Sequence, residues 1–189
     1  SYPHGDGLGT ISWMSEVAVQ TRAKGLTYIA SDMTKLDKIG LGAYPEVPIN
    51  SVQKTIIYIL SIFFHSDDIY DVYALLGFFL VGLASFFLFK ELGINSVLSL
   101  FGAFLLMNND NLYSRLSGHL TLAVSFAPIL LTLFVIKMSK SPTLPNMLLV
   151  GAIVAFNFSM NEYYGYYGAL FSVPIFLGMY FYYHSVDEI

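Results

Sequence analysis

The stretch that decides the fold is residues 69–89, with the sequence IYDVYALLGFFLVGLASFFLF. Asp71 is its one charged residue and lies near one end. Because an α-helix rises 1.5 Å per residue, about 20 apolar residues are enough to cross the hydrocarbon core of a bilayer. Residues 69–89 therefore predict a transmembrane helix.

The composition of the whole chain agrees with a membrane protein. Of its 189 residues, 56% are hydrophobic and 12% are charged, whereas a soluble domain carries about 25% charged residues. So many apolar residues exclude a disordered chain. The lack of cysteine excludes a disulfide framework and a thiolate metal site. A net charge of −4 offers no basic surface for nucleic acid, so we expect no such partner.

Further apolar stretches before and after residues 69–89 predict several crossings. Three of them have the length of a crossing, namely residues 120–136, 144–160 and 163–183. Residues 97–113 begin apolar but turn polar at Asn108, so this segment either crosses with its polar end in a protein cavity or breaks there. Residues 55–64 are too short to cross and predict an interfacial or re-entrant piece. We therefore predict an all-α fold, a polytopic integral membrane helix bundle, over residues 55–189.

Residues 1–54 differ in composition and predict a water-exposed or interfacial loop. They hold five of the nine basic residues and five of the thirteen acidic ones. Within this loop, residues 11–24 have the spacing of an amphipathic helix that lies on a membrane surface. The chain begins at Ser1 without a methionine or a signal peptide, so we expect it to be an internal piece of a longer membrane protein.

Basic residues in the short loops predict the orientation. Lys90, Lys137 and Lys140 follow the first and third crossings and so share one side, whereas the opposite short loops carry Arg115. Cytoplasmic loops are enriched in Lys and Arg, which places the three lysines in the cytoplasm and residues 1–54 outside. His184, which has no evident partner, is expected at the cytoplasmic interface. We expect a bacterial or archaeal cell membrane, with the functional site on the extracytoplasmic side.

Acidic residues at the predicted extracytoplasmic ends are candidate binding residues, because ionisable groups near membrane depth are costly. Asp67 and Asp68 are similar to a carboxylate cluster that holds a magnesium diphosphate. They would equally suit a helix start with Ser66 as N-cap and acids in the first turn. Glu162 stands among tyrosines, which suits sugar or lipid-phosphate recognition, although an interfacial aromatic belt also explains the tyrosines.

Three more candidates lie in polar segments. Arg115 offers a planar donor fork for a phosphate, or belongs to a solvated loop. His119 is placed to hydrogen-bond a phosphate or a sugar hydroxyl, or ends a helix as a packing residue. The motif Gly5-Asp6-Gly7 presents a carboxylate on tightly turning backbone that a ligand can approach, or forms an ordinary turn.

The order of these features carries a resemblance to a known superfamily. The features are Gly5-Asp6-Gly7, Gly42-Ala43-Tyr44-Pro45, Phe89-Lys90-Glu91-Leu92-Gly93, Gly118-His119-Leu120-Thr121-Leu122 and Pro128-Ile129-Leu130-Leu131. In this order they resemble the GT-C superfamily of membrane glycosyltransferases over residues 2–137. The resemblance is closest to the bacterial families related to the membrane proteins that glycosylate lipoteichoic acid.

The resemblance implies transfer of a sugar from a polyprenyl-phosphate carrier to an extracytoplasmic acceptor. Asp6 matches the catalytic acid of the first loop and would act as the base. The pair Gly118-His119 matches a glycine-histidine at a helix start, and His119 with Arg115 would stabilise the phosphate. The chain departs from the family because the first span is missing and Asp6 has no acid beside it.

The acidic candidates and the cofactor follow from the same resemblance. Asp67, Asp68 and Glu162 would contact the sugar or a metal. These residues identify no particular cofactor, and a divalent cation is compatible with them. Two other functions are open, a transporter or flippase built on broken helices and a non-catalytic membrane scaffold subunit.

Overall fold

The computed structural model describes residues 6–25, 51–109, 126–160 and 162–185. These residues form helices joined by short turns, and none of the described residues lies in a β-strand. The prediction of an all-α fold is therefore confirmed. The chain divides into two compact units, Gly9–Tyr73 and Ala74–Ile189 with Ser1–Leu8, which we call the N-terminal and C-terminal units.

The N-terminal unit is built from α1 (Asp6–Lys24), α2 (Ser51–Phe63) and a short 3-10 helix (Ser66–Asp68) that leads into α3. The buried face of α1 consists of Met14, Val17, Ala18 and Thr21. Their spacing of three and four residues is that of one helix face, so the segment is a helix as predicted, and its place on a membrane surface stays a prediction. It begins five residues earlier than predicted, at Asp6 instead of residue 11.

An arginine holds the end of α2 in the same unit. Arg22 donates to the carbonyl oxygen of Ser61 from Nε at 2.5 Å and to that of Phe64 from Nη2 at 2.6 Å, and Nη2 also donates to Ser61. The last carbonyls of a helix lack partners within it and carry partial negative charge. A guanidinium at this position satisfies both needs and fixes where α2 stops.

The helix α3 (Ile69–Glu91) begins in the N-terminal unit, and its part from Ala74 onward forms a hairpin with α4 (Ser96–Met107) in the C-terminal unit. The chain reverses at Gly93, where φ is 82°. The amide of Ile94 donates to Phe89 and that of Gly93 donates to Lys90, which is the bonding of a Schellman cap. Asn95 then caps α4 by accepting from the amide of Leu98 at 2.9 Å.

The rest of the C-terminal unit is a bundle of α5 (Phe126–Lys140), α6 (Leu144–Met160) and α7 (Glu162–Ser185), each of which contacts the other two. Its buried side chains include Ala127, Leu131, Val135 and Asn157. Pro174 lies inside α7, where it removes one backbone donor from the helix.

Three helices end together at what we call the basic end, which comprises Lys90, Glu91, Lys137, Lys140 and His184. Lys140 at the end of α5 binds Glu91 at the end of α3, with 2.6 Å between Nζ and Oε1. His184 near the end of α7 lies 3.2 Å from the carbonyl oxygen of Ser139. Lys90, Lys137 and Lys140 therefore lie at the same end of these helices, and the side of a membrane that they face stays a prediction.

The helix bounds bear on two of the predicted segments. The segment 97–113 was expected either to cross with its polar end in a protein cavity or to break there, and α4 stops at Met107, followed by Asn108 as its C-cap. The short piece at 55–64 belongs to the longer helix α2. Among the described residues, the helical stretch Ser66–Glu91 is the one long and apolar enough to cross a membrane by length and composition. With 24 residues, α7 is long enough to cross, but its tyrosines lower its mean hydropathy.

Candidate functional site

A groove of about 150 Å³ runs between α5 and α7 in the C-terminal unit. Its α5 wall is formed by Pro128, Leu131 and Thr132, which are spaced as one helix face. The α7 wall follows the same spacing and consists of Tyr164, Tyr167, Gly168, Phe171, Ser172 and Ile175. Both walls are mostly apolar, with hydroxyl groups on each side.

Two of these hydroxyls bond to their own helices. Thr132 donates to the carbonyl of Pro128 at 3.0 Å, and Ser172 donates to the carbonyl of Gly168 at 2.6 Å. Each hydroxyl oxygen keeps acceptor capacity after donating its single hydrogen. The groove therefore suits an apolar body that carries hydrogen-bond donors.

Asn157 of α6 lies next to this groove and is fully buried. Its Nδ2 donates to the carbonyls of Ala127 on α5 at 3.0 Å and of Ile153 at 2.9 Å. Two carbonyl oxygens face this nitrogen, which decides the orientation of the amide. Within the described part of the chain, Oδ1 accepts no hydrogen bond.

Gly168, which lines the groove, lies close to Asn157. A Cβ atom at Gly168 would lie 3.8 Å from Oδ1 of Asn157 and 2.8 Å from Leu131 Cδ2. A buried acceptor without a donor costs about 1–3 kcal/mol. In the sequence this asparagine lies near one end of the apolar stretch 144–160, and a single sequence does not show which of its atoms is left without a partner.

Asp67 and Asp68 lie in the 3-10 helix before α3, and both are exposed. Asp67 Oδ1 accepts from Ser15 at 3.4 Å and from Ser66 at 3.3 Å, and Oδ2 lies 3.7 Å from Nδ1 of His65. The N-cap position belongs to His65, whose side chain makes no cap hydrogen bond. The interpretation of Ser66 as N-cap is therefore wrong, whereas the placement of both acids in the first turn is confirmed.

Asp6 and Glu162 are each the first residue of a helix, α1 and α7, and their side chains lie outside what the structure describes. Asp6 was predicted on a tight turn, but Asp6 and Gly7 both lie in the first turn of α1. An acid in this position is stabilised by the positive end of the helix dipole. Arg115 and His119 lie outside the described residues.

The described residues do not bring the predicted candidates into one site. Asp67 and Asp68 are the candidates whose side chains can be examined, and they are solvated. Within the described ranges, no group of three or more His, Asp or Glu side chains is placed to hold a metal ion.

The basic end contains polar contacts that the sequence did not reveal. Besides its ion pair, Lys140 donates to the carbonyl of Glu91 at 2.7 Å. Burial lowers the pKa of Lys140, but the hydrogen bond and charge of Glu91, with a smaller effect of Tyr183, raise it by more. His184, which had no evident partner in the sequence, also packs against Tyr180 with 4.4 Å between ring centres and 41° between the ring planes. For the ion pair between Lys140 and Glu91, the signal in the sequence was the opposite charges at the ends of two helices.

Comparison of the chain with models of protein families, with curated proteins and with solved structures finds no match. The functional class therefore has to be argued from the residues and the geometry.

Proposed function

We propose that the chain belongs to a polytopic membrane protein. Along α3, large apolar residues are exposed every four positions, at Leu75, Phe79, Leu83 and Phe87. Most of α4 is also apolar and exposed, with Val97 reaching 77%. Contiguous apolar surface of this size is unusual on a protein that faces water and is the normal surface of one that faces lipid.

The lengths of α6 and α7 support the same proposal. The 17 residues of α6 span about 25 Å and the 24 residues of α7 span about 36 Å. Tyrosines stand near both ends of α7, at Tyr163, Tyr164, Tyr166 and Tyr167 and at Tyr180, Tyr182 and Tyr183. Aromatic residues of this kind are enriched where a helix meets the membrane interface.

We further propose that this protein is a glycosyltransferase of the GT-C type. The observation that carries the proposal is the apolar groove between α5 and α7. Its walls suit the hydrocarbon chain of a polyprenyl-phosphate carrier, and it lies on α5, the helix that holds the Pro128 motif of the resemblance. The substrate would be a lipid-linked sugar, and the acceptor would be a cell-envelope polymer, lipid or protein.

In this proposal an acceptor hydroxyl attacks the anomeric carbon of the sugar. The bond between that carbon and the phosphate oxygen breaks, and the phosphate leaves on the lipid. Asp6 would accept the proton of the hydroxyl as general base. Arg115 and His119 would stabilise the phosphate through charge-assisted hydrogen bonds, and Asp67, Asp68 and Glu162 would contact the sugar.

The test uses the full-length protein in membranes with radiolabelled polyprenyl-phosphate sugars. We expect label to move to an extracytoplasmic acceptor, and Asp6→Asn to abolish the transfer. Glu16→Gln is the matched control because Glu16 lies on the same helix, where it accepts from Gln20 at 2.7 Å. Near-normal transfer by the Asp6 variant would remove Asp6 from the base role. Failure to transfer any of several sugars would contradict the transferase.

A transporter or flippase is the second candidate function. The observation that favours it is the early end of α4 at Met107, because broken helices surround the substrate sites of many transporters. In proteoliposomes, a transporter would move a lipid-linked sugar between leaflets without cleaving it from its carrier. Translocation without transfer would decide for this function.

A further inference from the structure

Two glycine contacts define the register of α4 against α3. A Cβ atom at Gly102 would lie 2.7 Å from the ring of Phe89, and one at Gly82 would lie 3.2 Å from Sδ of Met107. The first contact joins the later part of α3 to the middle of α4, and the second joins the middle of α3 to the last residue of α4. The two helices therefore run antiparallel, and Met107 lies beside Gly82.

This register gives the depth at which α4 ends. Seven residues separate Gly82 from Phe89, and thirteen separate it from Ile69. At 1.5 Å per residue these distances are about 10 Å and about 20 Å along α3. If α3 crosses a hydrocarbon core of about 30 Å, Met107 lies within roughly 5 Å of the middle of the membrane.

The residues that follow Met107 are polar and exposed. Asn108 donates to the carbonyl of Phe104 from its amide at 3.0 Å and from Nδ2 at 2.8 Å, and the amide of Asn109 lies 3.4 Å from the carbonyl of Leu106. Both asparagines are nevertheless exposed at the surface. Helix ends and amide side chains are tolerated at membrane depth only where protein covers them or where they line a water-filled cavity.

We infer that Asn108 and Asn109 line a water-filled cavity that reaches the middle of the membrane from the side opposite the basic end. On the other side, Phe89 packs on Gly102 and fills the space between α3 and α4. The inference rests on the membrane crossing of the proposed function and not on any transferase activity. Such a cavity would bring water and polar groups of a substrate to mid-membrane depth.

Cysteine labelling tests the cavity directly, because residues 1–189 contain no cysteine that would react in the background. Asn108→Cys and Asn109→Cys are compared with Leu105→Cys, whose parent side chain is apolar and exposed on the same helix. The probe is a cationic, membrane-impermeant methanethiosulfonate, which is added to sealed vesicles of each orientation. It reacts with the thiolate, which forms only where water reaches the sulfur.

Two further variants report the sides of the membrane. Ser96→Cys marks the basic end, because α4 starts beside the end of α3. Tyr163→Cys marks the opposite side, because α7 ends at the basic end and Tyr163 lies at its other end. If the chain crosses the membrane, these two variants react in vesicles of opposite orientation.

The expected result is labelling of both asparagine positions from the Tyr163 side, at least about tenfold faster than Leu105→Cys because only a hydrated thiol ionises readily. Labelling no faster than Leu105→Cys would overturn the cavity, and labelling from the basic end would also overturn it. If Ser96→Cys and Tyr163→Cys react from the same side, the membrane crossing itself is contradicted. That outcome separates failure of the proposed topology from failure of the cavity.

Discussion

Replacing Asn157 by leucine tests whether its unpartnered oxygen is a strained feature of the fold. Leucine has a similar size, cannot hydrogen-bond and removes both polar groups of the side chain. The lost bond from Nδ2 to the carbonyl of Ala127 joins α6 to α5. Such bonds between membrane helices contribute about 0.6 kcal/mol on average and at most about 1.7 kcal/mol.

The opposing effect is larger. Removal of Oδ1, which accepts no hydrogen bond within the described residues, recovers about 1–3 kcal/mol. The carbonyl of Ala127 stays inside α5, where helical bonding is available to it, so the loss on that side is small. Set against the average loss of about 0.6 kcal/mol, this recovery should make Asn157→Leu raise the free energy of unfolding by roughly 0.4–2.4 kcal/mol.

The assay is reversible unfolding of the full-length protein by dodecyl sulfate in mixed micelles, followed by far-ultraviolet circular dichroism. Asn157→Ala is the control, since it removes the same polar groups but leaves a void. Because both the burial of the missing methyl groups and the packing around the void are lost, the alanine variant should be about 2–5 kcal/mol less stable than the leucine variant. If Asn157→Leu is destabilised by 1 kcal/mol or more, a donor satisfies Oδ1 and the reasoning about a strained acceptor is refuted.

Three further changes test contacts elsewhere. The pKa of Lys140 is raised above its usual 10.5, so the stability that the pair with Glu91 contributes is complete below pH 10.5 and is lost at higher pH as Lys140 deprotonates. Glu91→Gln should remove part of this alkaline loss of stability, by no more than about 1 kcal/mol because the pair is partly exposed. Unfolding measured from pH 8 to pH 12 checks this. Gly102→Val should separate α3 from α4 and lower stability, because its Cβ would meet Phe89. Phe89→Ala in the same chain should restore the stability lost, whereas equal instability of the single and double variants would contradict the contact. Arg22→Met keeps an apolar stem but removes the donors at the end of α2, and should lower stability by about 1–3 kcal/mol; unchanged protection of α2 in hydrogen exchange would argue against the cap.

The sequence predicted the long helices well because their apolar runs are bounded by polar residues. The helix predicted at 144–160 is α6 itself, and those predicted at 69–89 and 163–183 lengthen by two and by three residues to become α3 and α7. The start of α2 was missed because Gln53 and Lys54 are polar but buried. Burial of this kind comes from packing against other segments, which periodicity alone does not reveal.

The polar contacts were less predictable for a related reason. Arg22 binds Ser61 across 39 positions in sequence, and Lys140 binds Glu91 across 49. In a single sequence each of these residues looks like an ordinary charge at a helix end. The pairing depends on the register and direction of the helices, which a single sequence does not give. That the predicted residues come together in one site therefore remains a prediction.

The shape of the inferred cavity bears on the choice between the two proposed functions. A transporter must expose its site to each side of the membrane in turn, so the half of the hairpin near Glu91 would have to open. There Phe89 lies against Gly102, and Lys140 holds Glu91 to the end of α5 with 2.6 Å between the charged atoms. Both contacts oppose separation of the helices at the basic end. A transferase needs access from one side only, because the sugar donor and the acceptor both arrive from outside. The closed half of the hairpin therefore supports the transferase, and labelling of Asn109→Cys from both sides would favour the transporter.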